Sequence, residues 1–245
     1  MPSVAALPDY GRLDDGVVPL LHAPSMAERA EELRDLLGTG AEALSEILAA
    51  KTPRLEALLV SDADRWEAPR ESERPYPPGL PYFTRATDPP SLVLPETLSP
   101  AIKPRTKATL PLTVWHELAH AFLLRREVPR TPAWLRELIP QALSAAVARR
   151  VGVLAQHLSE VDREPGFTVR GLKGHAGAEE QMAFQNLLLL LGDAALDEFG
   201  EGFLRRLVRD LWAEMDVVDE ARAEELLARA LGERGLEWLR SRPEF

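Results

Sequence analysis

The chain reads as an α+β fold: a small mixed sheet-and-helix lobe over about residues 1–127, then a mainly helical lobe over 128–245, together one domain. Three observations predict this. Short apolar runs closed by proline or by Ser-Asp recur as far as Leu94, the mark of brief strands. From Pro111 onward apolar residues return at helical spacing instead. An apolar content of 45% in 245 residues is enough for a sizeable core. A net charge of −10, with the basic residues scattered among acids, argues against nucleic acid as a partner, because phosphate binding needs a basic face. The longest apolar run, Leu187–Leu191, falls far short of the ~20 residues that span a bilayer, so no membrane partner is expected. The N-terminus lacks the basic start and apolar run of an export signal, which predicts a cytoplasmic protein.

Val17–Leu21 is short and apolar, reads as the first strand, and is closed by Pro24. Ser25 with Glu28 forms a capping-box pattern ahead of Ala30, Leu33, Leu36 and Leu37. Gly38 then stops this helix, and Thr39 with Glu42 opens a second box before Leu44, Ile47 and Leu48, giving two helices or one broken one. Leu55–Val60 is a second strand, and Asp62–Pro81, dense in charge and proline, is a surface loop. Tyr82–Ala86 and Ser91–Leu94 form a hairpin about Asp88-Pro89-Pro90. Pro95 suits a sheet edge for the second of these strands, either as an ordinary edge or as one to which an extended peptide can add. His22 reads as a surface or turn residue, and Ser99–Lys107 as a crossover.

Pro111–Arg126 is a helix containing His116-Glu117-Leu118-Ala119-His120. Residues four apart share a helix face, so the two imidazoles are one turn apart and point the same way, as ligands of a single zinc ion do. Glu117 sits beside that ion without being needed as a ligand, and its carboxylate is free to take a proton from activated water. Cysteine is absent, so zinc (Zn2+) must be held by imidazole and carboxylate alone. Val128–Thr131 makes a turn, and the next helix opens with Thr131 as cap and Pro132 as first residue, which makes the two helices antiparallel neighbours. His120 precedes the turn by about as many residues as Glu137 follows it, so the Glu137 carboxylate comes level with the imidazoles and completes a His116, His120, Glu137 metal site.

Further on, Pro140 is expected to kink or restart the helix. A buried helix then runs from Gln141 to near His157, with His157 at its end interacting with the last carbonyls. Ser159–Gly177 is a polar loop in which His175 is either an exposed residue or a group that steadies a developing oxyanion. Glu179–Leu191 is apolar along one side and is interrupted by Gly192; helices follow at Gly202–Glu214 and Asp219–Leu231.

The run His116–Phe122 followed by Pro132-Ala133-Trp134-Leu135-Arg136-Glu137 resembles the peptidase MA-like group of gluzincin zinc metallopeptidases. Phe184–Leu207 and Ala221–Arg240 are similar to that family's later helices and closing helix pair. The resemblance implies a zincin-like fold with zinc between two lobes, His116, His120 and Glu137 as ligands, and Glu117 as the catalytic base. Members have glycine after the glutamate and an aromatic four residues beyond that, where this chain has Leu138 and Ala142. The expected function is zinc-dependent hydrolysis of peptide bonds in a peptide or protein substrate. The alternative is a metal-binding pseudo-enzyme that serves as an interaction scaffold.

Overall fold

The short apolar runs pair into one mixed sheet. The structure is a computed structural model that describes residues 9–71, 77–126, 128–162, 166–171 and 177–245. Among them β1 (Gly11–Leu13), β2 (Leu20–His22), β3 (Glu56–Val60), β4 (Tyr82–Thr84) and β5 (Ser91–Pro95) lie in the order β1-β2-β3-β5-β4. β2, β3 and β5 are parallel, while β1 and β4 close the two edges antiparallel. The first strand is therefore not Val17–Leu21. Val17 is solvent-exposed, and pairing begins at Leu20, just after Pro19, which has no amide proton to give a ladder. The hairpin forms as expected, but Ser91–Pro95 is not its edge. β5 pairs Glu56↔Ser91 through Val60↔Pro95 on one side and β4 on the other, so the open edge belongs to Tyr82–Thr84. Pro95 is tolerated there because it is the last residue of the ladder.

Helix α1 (Ala27–Leu48) returns the chain from β2 to β3, as a parallel pair requires. Ser25 does not cap it; Pro24–Met26 form a 3-10 turn that leads into the helix. Nor does Gly38 stop it. The helix runs unbroken for 22 residues because packing outweighs the glycine signal: Gly40 lies against the Trp115 ring, and Trp115 Nε1 donates to the Leu36 carbonyl at 2.9 Å. A methyl group at Gly40 would overlap that ring, whereas one at Gly38 meets nothing within 4 Å. Gly38→Ala is thus expected to stabilise the protein by about 0.5–1 kcal/mol through helix propensity. Gly40→Ala should cost about 1–3 kcal/mol through overpacking. Urea midpoints of the two variants check this, and movement in the same direction would overturn it.

The metal-motif helix is α2 (Thr109–Leu123), and α3 (Ala133–Arg150) follows it. α3 passes through Pro140 without a break; the proline is buried in the core, and the surrounding packing holds the helix across the missing hydrogen bond. The helix expected from Gln141 to His157 ends instead at Arg150. Gly152, with φ of 75°, turns the chain into the short α4 (Leu154–Ser159). His157 does stand in the last turn of a helix, but of α4, and it is buried there, its Nδ1 2.7 Å from Thr106 Oγ1; burial lowers its pKa. His22 is likewise buried, with Nδ1 2.9 Å from the Ala23 carbonyl oxygen.

α5 (Ala178–Phe199) continues across Gly192, where an added Cβ would stand 2.9 Å from the Ala142 Cβ, so glycine here sets a close approach of α5 to α3 rather than an interruption. α6 (Gly202–Ala213), α7 (Glu220–Leu231) and α8 (Gly235–Ser241) complete the chain, with Asp219 accepting from the Arg222 amide at 2.8 Å to cap α7. Leu20, Ala57, Leu59, Leu92 and Leu94 on one face of the sheet join the helices in a continuous core. Leu58, Val60, Tyr82 and Val93 on the other face are covered by Ala68. Ala68 belongs to the expected loop, which Tyr82 Oη tethers by donating to the Pro69 carbonyl at 3.0 Å. No helix among the described residues is long and apolar enough to cross a membrane.

Candidate metal centre

α2 buries Trp115, Leu118, Ala119 and Phe122 in the core, and this fixes the rotation of the helix and hence the direction of His116 and His120. The connection Leu124–Pro132 then brings α3 alongside. Pro132, not Thr131, stands at its cap, with ψ of 145°, and Ala133 is the first helical residue. No side chain caps this end. The junction serves the site by setting how far into α3 Glu137 lies, one turn inside the helix, where Trp134, Leu135 and Leu138 take the buried face.

The three predicted ligands come together. Nε2 of His116 and Nε2 of His120 are 3.2 Å apart, and Glu137 Oε2 lies 3.5 Å from each. The imidazoles meet edge to face at 81°. A tetrahedral zinc ion with bonds of about 2.0–2.1 Å sets its donors about 3.3–3.4 Å apart. The donor spacings here fit such an ion, and the nitrogen and oxygen donors are of the type zinc takes. His116, His120 and Glu137 keep 11%, 15% and 18% of their side-chain surface accessible, so the cluster is shielded but not sealed from solvent.

Glu117 is in a different environment from Glu137, although both are carboxylates beside the same imidazoles. Its Oε1 is 4.0 Å from His116 Nε2, and the backbone N–H of Phe83 on the β4 edge is directed at it. Burial pushes the Glu117 carboxyl up to about 7, against the pull of His116, with Glu137 adding repulsion. For Glu137 burial acts in the same upward sense, but the charge and hydrogen bonds of His120 and His116 outweigh it and hold the group well below the usual carboxylate range. The cluster thus separates one carboxylate that stays ionised from one that readily takes a proton.

Comparison with family models gave no match, and neither did comparison with curated protein sequences. Solved structures did match. The fold is similar to part of yeast leukotriene A4 hydrolase. Native yeast LTA4 hydrolase superposes with a TM-score of 0.59 at 12% identity, and the same enzyme in complex with bestatin with 0.57 at 11%. A further native structure from Saccharomyces cerevisiae gives 0.57 at 11%. Each comparison covers 96% of this chain and 38% of the hydrolase chain, so the likeness extends over almost all of the one and well under half of the other. At this identity it is a likeness of fold.

Two features around the cluster are not foreseen from the sequence. Gln185 of α5 donates its amide to Glu137 Oε2 at 3.0 Å, and Gln141 of α3 donates in turn to Gln185 Oε1 at 2.7 Å. Gln141 follows Glu137 by four residues and so shares its face, a signal present in the sequence. Nothing in the sequence places Gln185 there, because that depends on the packing of α5. The second feature is Phe83, whose amide reaches Glu117 only because β4 and not β5 is the edge strand. Glu127 and His175 lie outside the described residues.

Proposed function

We propose that the chain is a zinc-dependent metallopeptidase of the gluzincin type, its two lobes acting as one domain about the centre. The observation that carries this reading is the donor triangle of His116, His120 and Glu137 with Glu117 beside it and outside it. His116, His120 and Glu137 hold the ion, which when bound supplies Lewis-acid activation of water and of the scissile carbonyl. Glu117 accepts the proton of the attacking water and then delivers it to the departing amine, a double duty suited to a carboxyl raised toward neutrality. An extended peptide lies beside β4, the edge strand of the sheet, with its scissile carbonyl next to Glu117. The similarity of fold to a hydrolase, one structure of which holds bestatin, supports the same reading.

The test is a peptide library incubated with the zinc-loaded protein, with the chelated protein, and with the chelated protein given zinc again, the products read by mass spectrometry. Cleavage lost on chelation and restored by zinc is the expected result. A fully loaded protein that cleaves nothing would overturn the proposal.

A further inference from the structure

Resting on this assignment of the metal centre, we propose that Gln185, oriented by Gln141, is a positioning residue for the Glu137 carboxylate and thereby sets the affinity of the centre for zinc. Glu137 Oε2 is the oxygen that faces both imidazole Nε2 atoms at 3.5 Å, and it is the same oxygen that accepts from Gln185 Nε2 at 3.0 Å. A carboxylate oxygen has two lone-pair directions. With the amide proton on one of them, the other is left facing the imidazole pair. Among the described residues the second oxygen, Oε1, has only the Arg136 Nε at 3.5 Å, from a guanidinium that is 59% exposed. The short contact from α5 is therefore what fixes the rotation of this carboxylate.

The direction of the Gln185 amide is itself determined. Its Oε1 accepts from Gln141 Nε2 at 2.7 Å. Reversal would set carbonyl oxygen against carboxylate and amide against amide, leaving both contacts repulsive. Gln141 lies one turn beyond Glu137, so α3 carries both ends of the relay and α5 its middle. Gly192 lies two turns beyond Gln185, and its contact with Ala142 keeps α5 close enough for a glutamine to span the gap. Outer partners of this kind typically change metal affinity by about 10–100-fold when removed.

The zinc dissociation constant of the full chain, measured by competition with a chromogenic chelator, tests the proposal alongside the melting temperature of the zinc-free protein. Gln185→Met keeps the bulk and removes the donor. It should weaken zinc binding about 10–100-fold with the zinc-free melting temperature near wild type. Gln141→Leu should weaken it several-fold, and the Gln185→Met loss should vanish in a Glu137→Ala background, as coupling through that carboxylate demands. A purely structural glutamine would lower the zinc-free melting temperature and leave the dissociation constant alone, which overturns the positioning role. If His116→Ala loses zinc but Gln185→Met binds it like wild type, only the positioning role falls. If His116→Ala binds zinc as tightly as wild type, the metal centre falls with it.

Discussion

Glu117→Gln is expected to leave zinc content near wild type while lowering peptide hydrolysis by about 10²-fold or more. Glutamine keeps the length and most of the hydrogen bonding of the side chain, including acceptance from the Phe83 amide, but it cannot take up a proton. Oε1 of Glu117 stands 4.0 Å from His116 Nε2, outside the 3.2–3.5 Å triangle of His116, His120 and Glu137, so binding of an ion there would not depend on it. Elemental analysis and a rate assay on one preparation read both quantities. A variant as active as wild type would remove Glu117 from the chemistry. A wild type that cleaves nothing, with Glu117→Gln equal to it in every binding assay, would favour the scaffold function.

The second large effect concerns the metal itself. Wild type is expected to carry about one zinc per chain, and His116→Ala, His120→Ala and Glu137→Ala should each lose most of it, because two remaining ligands rarely hold zinc tightly. Zinc at about 1,000 times its dissociation constant stabilises a folded protein by about 4 kcal/mol. The rise in melting temperature on adding zinc to wild type should therefore disappear in all three variants. Glu127→Ala should bind and melt like wild type. Equal zinc content in wild type and the three variants would sink the site.

The sequence made the α2–α3 hairpin legible because its information is local. Helical periodicity fixes which way His116 and His120 face, and the short link to Pro132 sets the height of Glu137 on the neighbouring helix. Errors arose where a local breaker met a tertiary contact. Gly38 and Gly192 read as stops and Pro140 as a kink or restart, yet the helices continue across all three, with Gly40 and Gly192 packed tightly against Trp115 and Ala142. β1, with only Gly-Arg-Leu, has no alternation to reveal it and exists through its pairing with β2. Strand order was equally hidden. Nothing in Tyr82–Pro95 says which hairpin strand will find β3, and that choice decides whose amides face Glu117. Buried His22 looked like a surface residue because a lone histidine carries no periodic signal.

Among the described residues, the outer face of the sheet is covered by irregular chain and not by a helix. Ala68 covers Leu58, Val60, Tyr82 and Val93, and its loop is moored by side-chain hydrogen bonds: Tyr10 Oη to Asp64 Oδ2 at 3.0 Å, Ser61 Oγ to Asp64 Oδ2 at 2.6 Å, and Tyr82 Oη to the Pro69 carbonyl. Tyr82 also belongs to β4, the edge strand of the sheet, so the apolar face and the sheet edge meet at one residue. Severing the loop between residues 61 and 71 would bare β-branched and aromatic side chains directly beside the edge strand of the sheet, the pairing of features from which sheets add strand upon strand between molecules. Resistance to aggregation in this protein thus depends on a loop of about ten residues far more than on its abundant helices.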